Sequence, residues 1–354
     1  MNSFDVCQQI TRKSRSNFVI AFRFLPQDKR NALIVLYAYM RFTDDLVDDE
    51  SVSLSKRQKR LSFWQKAVSN FLRNENVDQT NDSVLLFGLQ ILPAVFKIVQ
   101  KYNISAHCLT DVIEGVSSDL KSHFQMNSLD ESYRYCDCVA TSVGKAILAI
   151  FQTTEPLNSP EMIIATQSCG RAFQWTNFLR DIREDVLNDR FYFPLEDFQS
   201  IGLTPEEFKR FILEKSPPKK KCFKLSIIKT KGAQNRKRVT QNEKENIISP
   251  NSIPIIQNNK DQAVLIQHLM KIQFQRTESL YNQTELLINS VHQDSRFVLL
   301  FMRTIYYELF RLIKKSPQSV FQQRLRLSFL KKISVFGKSF LLNRKYKQKR
   351  QIKT

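Results

Sequence analysis

Apolar residues recur at helical spacing along almost the whole chain, with one central exception. Leu61, Trp64, Val68 and Phe71 fall on one stripe, and Leu33, Leu36, Tyr37, Met40 and Val47 make another. Pro26 stands where a helix can start, since the N–H it lacks would have no partner there anyway. Runs that alternate with period two are scarce. The spacing predicts an all-α bundle, with long helices before the central stretch and more after it, from about Ala263 to Ile313. The exception, SPPKKKCFKLSIIKTKGAQNRKRVTQNEKENIISPNSIPIIQNN, is polar, proline-punctuated and without a sustained stripe, which predicts a long mobile loop. The expected organisation is one helical domain built from residues 1–213 and 260–330, a basic and disordered insert over 214–259, and a basic C-terminal tail over 331–354.

The 354 residues, 42% of them apolar, suffice for a sizeable core. The seven glycines occur singly, so neither a phosphate-cradling P-loop nor a GxGxxG turn can be written. Six cysteines without a CxxC pair and four scattered histidines argue against zinc sites and disulfide frameworks, and for a reducing, intracellular setting. Cys136 and Cys138 would point to different faces of a helix, as core thiols do. The first residues lack the apolar core of a signal peptide. The apolar stretch FVLLFMRTIYYELFRLI is interrupted by Arg303, Glu308 and Arg311, short of the roughly 20 apolar residues that a membrane-spanning helix needs. No transmembrane segment is expected, which suggests a cytoplasmic protein or one peripheral on a membrane surface.

A net charge of +20 raises the question of nucleic acid. Lys215 to Lys244 holds eleven basic residues and one acid, and Lys331 to Thr354 holds nine basic residues and none acidic. The remainder is nearly neutral, so the charge belongs to the insert and tail rather than to a folded face of the kind nucleic-acid readers present. No specific nucleic-acid partner is expected.

The chemistry concentrates elsewhere. YMRFTDDLVDDE puts five acids into the seven positions 44–50. On a helix Asp44 and Asp48 lie one turn apart, as do Asp45 and Asp49, and each such like-charge pair costs about 0.2–0.5 kcal/mol. A solvated helix end or a magnesium site would both account for one such cluster. A second cluster shifts the balance: in GRAFQWTNFLRDIREDVLNDRFYFP, Gln174, Asn177, Asp181 and Asp185 recur on successive turns of one face, with Arg180, Arg183 and Arg190 close by. Two acidic patches across a bundle could hold several Mg²⁺ ions, and these with the arginines could clamp a diphosphate as leaving group. Gly144 and Gly170 could be incidental or could admit a substrate. Asp119 in VIEGVSSDL is either a cavity residue or an exposed helix carboxylate.

SRSNFVIAFRFLPQDKRNALIVLYAYMRFTDDLVDDE resembles the opening of the squalene/phytoene synthase family, through Leu25-Pro26, Arg30, Tyr37-Ala38, Arg41 and the DDxxD of Asp44, Asp45 and Asp48. RYCDCVATSVGKA is similar to that family's Tyr-Cys-x-x-Val-Ala-x-x-Val-Gly helix, with Thr141-Ser142 where the family has Gly-Thr. QWTNFLRDIREDVLNDRFYFP resembles its Gln-x-x-Asn-x-x-Arg-Asp-x-x-x-Asp-x-x-x-x-Arg-x-Tyr-x-x-Pro pattern, and MRTIYYELFRLI is a weaker echo further on. The resemblance implies an all-α, single-domain isoprenoid synthase bundle with a central cavity. The implied enzyme is a prenyltransferase that joins two allylic prenyl diphosphates head to head. In that chemistry one diphosphate leaves, the second substrate's double bond attacks the allylic cation, and proton loss closes a cyclopropyl ring.

By the same resemblance Asp44, Asp48, Asp181 and Asp185 are metal-binding, with Mg²⁺ or Mn²⁺ as the ion. Arg41, Gln174, Asn177, Arg180, Arg190 and Tyr306 are substrate-binding, and Tyr135 is tied to the chemistry. Two farnesyl diphosphates giving presqualene diphosphate or squalene is the favoured reaction, with NADPH required where squalene is the product. The alternatives are a phytoene synthase joining two geranylgeranyl diphosphates, or a non-catalytic assembly factor that binds prenyl diphosphate. The basic insert and tail, the latter carrying Phe336, Phe340, Leu341, Leu342 and Tyr346 among its cations, are expected to hold the protein on anionic lipid.

Overall fold

The computed structural model describes residues 2–14, 17–49, 51–121, 124–215 and 259–351. As the apolar spacing predicts, helices carry nearly all of its regular structure. The first part of the chain forms α1 (Ser3–Lys13), α2 (Asn17–Phe22), α3 (Gln27–Asp48), α4 (Leu54–Leu72), α5 (Ser83–Leu89), α6 (Leu92–Lys101), α7 (His107–Ser117), α8 (Leu129–Cys136) and α9 (Ser142–Phe151). The long α10 (Pro160–Leu187) follows, then α11 (Leu195–Gln199), α12 (Pro205–Lys215), α13 (Asn259–Asn282), α14 (Glu285–Ser290), α15 (Gln293–Lys315) and α16 (Phe329–Gln351). The expected insert falls almost wholly on residues 216–258, outside the described residues.

Local sequence sets the helix starts. Pro26 precedes α3; the Ser53 hydroxyl accepts from the Lys56 N–H at the head of α4; Asp82 accepts from the Val84 and Leu85 N–H groups ahead of α5. At α10, Ser159 accepts from the Met162 N–H, and Pro160 takes the first position, where its missing donor costs nothing.

Two apolar clusters make the core. One gathers α1, α3, α4, α6, α7, α9 and the first half of α15. The other gathers α8, α12, α13 and the second half of α15, and α10 runs through both. Buried polar ties fix the packing between them. The Trp175 indole donates to Gln273 Oε1 at 3.0 Å, Gln273 Nε2 donates to Asp197 at 2.9 Å, and the Arg276 guanidinium grips both Asp197 oxygens at 2.6 and 2.9 Å. Each member finds partners, so the network locks α10, α11 and α13 without leaving an uncompensated charge. Lys29 does the same at the other end of the bundle, donating to the Phe151 carbonyl and to Asp294, both at 2.8 Å.

Between α8 and α9 the chain stays helical but widens to π-type bonding over Asp137–Thr141. This turn is seated against a glycine on α10: a Cβ on Gly170 would come within 2.7 Å of the Thr141 backbone. Gly170 is therefore a packing glycine. Gly144 differs, since a Cβ there would meet only the Thr166 methyl, at 3.9 Å.

A two-residue parallel pairing, β1 (Phe124–Gln125) with β2 (Arg190–Phe191), places Phe124 opposite Arg190. Ser83–Lys101 is the one stretch among the described residues that is long and apolar enough, by length and composition, to cross a membrane. In the fold it is the separate helices α5 and α6, and Leu85, Ile91, Leu92, Val95 and Ile98 point into the core. The C-terminal basic segment, read from sequence as a tail, is the helix α16, seated on α15 through Val335 and Ser339.

Candidate active site

α3 and α10 end alike. The last turns of α3 carry Asp44, Asp45 and Asp48, those of α10 carry Asp181, Glu184 and Asp185, and neither last turn holds a basic residue. A helix C-terminus already carries about half a negative charge, so each carboxylate there is unfavourable by about 0.3–1 kcal/mol. Two helices built against their own dipoles call for external positive charge.

Between them lies a cavity of about 440 Å³. Its wall follows one stripe of α3 from Leu33 through Leu36, Tyr37, Met40 and Asp44 to Asp48. The fifteen steps from Leu33 to Asp48, each rising about 1.5 Å, make this wall about 22 Å long. The stripe is apolar at its start and acidic at its end. Opposite stand Gly144, Ile147 and Leu148 of α9, Phe173, Gln174 and Asn177 of α10, and Leu299, Met302 and Tyr306 of α15. Tyr306 stacks on Phe173 with ring centroids 4.4 Å apart.

At the acidic end burial reshapes the titration. Desolvation, and then repulsion from Asp48, pushes Asp44 up to about 7. Desolvation and the neighbouring Asp181 push Asp185 up to about 8. Asp119 also lines this end, and the Tyr135 and Tyr192 hydroxyls donate to it at 3.0 and 2.9 Å. Desolvation raises it to about 6 despite those donors, and burial lifts both phenols well above their ordinary range. Asp119 feels Asp48 on one side, and Asp185 feels Asp119 on the other, so the two acidic helix ends face a common space.

Not every residue singled out by sequence points into that space. Asp44, Asp48, Tyr135, Gln174, Asn177 and Tyr306 line the cavity. Asp181 does not: Arg180 forks onto it at 2.8 and 2.5 Å, and Arg324 adds a contact at 2.9 Å while reaching Glu184 at 3.7 Å. Asp185 sits in a small adjoining pocket with Phe178, Arg190 and Tyr192. Arg190 has no ion pair within 4.0 Å among the described residues, and its charge acts through space on Asp119, Asp48 and Asp185. Arg41 stands outside the wall, half-exposed and paired with Asp45 at 2.5 Å.

The sequence leaves Asp119 open between cavity and solvent, marks Tyr192 only as the tyrosine of the Arg-x-Tyr pattern, and gives no sign of Arg324. Arg324 is 143 residues from the aspartate it holds, in a stretch with no motif around it.

The donors at the acidic end are hard oxygens, the kind that Mg²⁺ or Mn²⁺ accepts. Asn177 Oδ1, on the cavity wall, is buried without a hydrogen-bond partner among the described residues. Among the described residues no three His, Cys, Asp or Glu side chains stand close enough together to hold a metal ion as they are placed, so the fit rests on the chemistry of these donors alone.

The squalene/phytoene synthase family model matches residues 11–219. The chain belongs to the squalene/phytoene synthase family. The members of this family are prenyltransferases that bind prenyl diphosphates and generally depend on divalent metal. A phytoene synthase of Arthrospira platensis is 25% identical over 345 residues, which cover 94% of this chain and 90% of that protein. A phytoene synthase of Mycobacterium tuberculosis is 30% identical over 201 residues, covering 57% of this chain and 60% of that protein, less than two thirds of its length. Among solved structures, a dehydrosqualene synthase in complex with ligand superposes with a TM-score of 0.67 at 21% identity, covering 97% of each chain. The squalene synthase HpnC from Alicyclobacillus acidocaldarius gives 0.63 at 18% identity, covering 91% of this chain and 95% of that one. These two likenesses show the all-α fold.

Proposed function

We propose that this protein couples two geranylgeranyl diphosphates head to head to a phytoene-type C40 hydrocarbon. The observation that carries the reading is the stripe of α3, apolar over most of its length and ending in paired carboxylates opposite the acidic end of α10. The length of that wall favours C20 substrates over the C15 substrates that the first motif region suggests. An extended chain advances about 1.25 Å per 1.52 Å carbon–carbon bond, so a geranylgeranyl group reaches about 19 Å and a farnesyl group about 14 Å. About 22 Å of wall, less a few ångströms for the diphosphate and its ligands, matches the longer chain. The names of the relatives from Arthrospira and Mycobacterium support the same choice.

In this reading Asp44, Asp48, Asp181 and Asp185 hold divalent cations, and the resemblance to the family is what assigns them. When bound, the metal supplies charge neutralisation to the departing diphosphate. The chain's own groups do the rest. Arg180 and Arg324 share Asp181 and can turn to diphosphate oxygens, which accept guanidinium forks equally well. Arg190 adds a cation between the two acidic clusters. The apolar wall excludes water from the allylic cation, and the rings of Phe173, Tyr306 and Tyr37 offer it negative faces. Tyr135 donates a hydrogen bond to Asp119, so the phenol oxygen can take the proton lost on ring closure while its own proton passes to the Asp119 carboxylate.

The test is incubation of the protein and Mg²⁺ with geranylgeranyl or farnesyl diphosphate, with and without NADPH, and mass analysis of the extract. A C40 hydrocarbon from geranylgeranyl diphosphate without NADPH is expected. A C30 product from farnesyl diphosphate alone overturns the chain length, and no coupled product from either overturns the reaction.

A further inference from the structure

α16 presents three stripes. Val335 and Ser339 are buried on α15, with Phe336, Leu342 and Tyr346 half-buried beside them. Lys331, Lys338 and Lys345, seven residues apart, run along a second side, and the first two reach Glu308 at 2.9 and 3.4 Å. The third side faces outward and is apolar. Phe329 and Leu330 are 76% and 77% exposed, and Ile333, Phe340 and Leu341 are at least half exposed.

This stripe meets the turn after α2. Phe24 in that turn is exposed as well; its ring lies 5.0 Å from Phe336 and 5.2 Å from Phe297, and Phe340 lies 6.4 Å from Phe297. Six of the thirteen exposed large apolar side chains among the described residues thus lie on α16 or, as Phe24, against it. Single exposed apolar residues are ordinary, but this concentration on one face is not.

From this face we infer a membrane-docking surface, made by α16 with Phe24, that seats the protein on a bilayer containing anionic lipid. The charge decides the occupant. Residues 329–354 contain no acid, and Lys332, Lys338, Arg344 and Lys345 flank the apolar stripe. A second copy docking through the same patch would bring like charge onto like charge, because a two-fold contact pairs a surface with itself. Anionic headgroups complement the cations while the apolar stripe enters the acyl boundary.

The surface also adjoins the cavity. Phe22 of α2 and Leu299 and Met302 of α15 line its wall, while Phe24 and Phe297 meet the patch. The docking itself does not rest on the proposed reaction. If that reaction holds, the same face puts the cavity's apolar walls beside the lipid that takes up the product.

The test is flotation of the full chain with phosphatidylcholine vesicles, with and without phosphatidylglycerol, at low and high salt. Wild type is compared with Phe340→Glu/Leu341→Glu and with Arg344→Glu/Lys345→Glu, and thermal denaturation and sedimentation velocity are run on each. Wild type floats with the anionic vesicles and is released by salt. The apolar-face variant lowers partitioning at least about tenfold, the scale expected when two large apolar side chains stay in water, with an unchanged melting temperature. The basic variant loses the preference for anionic vesicles. Failure of wild type to float overturns the inference, as does equal flotation of the apolar-face variant. A wild-type dimer that the apolar-face variant dissolves, without vesicle binding, assigns the patch to self-association instead.

Discussion

Asp44 is costly where it stands, at the negative end of a helix, four residues from Asp48 and largely removed from water. Asp44→Asn should therefore raise the melting temperature of the metal-free protein by about 1–4 °C, the scale of a 1 kcal/mol change in a chain of this size or somewhat smaller. It should remove turnover at the same time, so scanning calorimetry and product assay on one preparation check both. Arg324 invites a second test. Arg324→Ala should lower kcat/KM about tenfold to a hundredfold, as expected for the loss of a charge-assisted hydrogen bond of roughly 1.5–3 kcal/mol. Unchanged kinetics would leave it a structural partner of Asp181. The two aspartate clusters are visible in the sequence because residues one helical turn apart share a face whatever the fold, although of the four candidate ligands only Asp44 and Asp48 line the cavity. Asp119 and Arg324 are not so marked: nothing local distinguishes a carboxylate that turns to two phenols, or an arginine that closes on a helix 143 residues away.

At the scale of elements, the stripes of α3 and α4 were readable because their apolar positions repeat without interruption. The sequence hides α16 as a basic tail because a serine, Ser339, sits in the middle of its buried side and a row of lysines runs beside it. What holds it is partly Glu308, on which Lys331, Lys338 and Arg311 converge. Those cations hold Glu308 below its ordinary range, although burial opposes them. A lowered carboxylate stabilises the fold at pH above its unfolded value and loses that contribution as pH falls through the folded one. Hydrogen exchange in α16 should therefore quicken as pH is lowered below about 4.5, after correction for intrinsic rates. Glu308→Gln should show the fast exchange already at neutral pH, and exchange in α16 that ignores both changes would mean that Val335 and its neighbours suffice. The two cavity glycines separate by the same reasoning. Gly170→Ala forces α10 off the Thr141 backbone and should lower the melting temperature, whereas Gly144→Leu should fold normally and shorten the cavity, cutting turnover of C20 more than of C15 substrate.

For the whole molecule, the all-α architecture follows from helical periodicity, and the family from three motifs in order. What periodicity could not give is depth, because the cavity is whatever volume the packed helices leave unfilled. The account makes the fold a frame that brings two unfavourable helix ends together at the mouth of an apolar tunnel. Its most direct test is the Mg²⁺-dependent C40 product of geranylgeranyl diphosphate made by wild type, Asp48→Ala and Asp181→Ala, with circular dichroism on each. The account predicts that either substitution lowers the rate by about a hundredfold or more, the scale of losing an electrostatic element of a transition-state site, while the helical signal stays the same. A correctly folded variant of either kind turning over within about tenfold of wild type, short of even the low end of that scale, would contradict it.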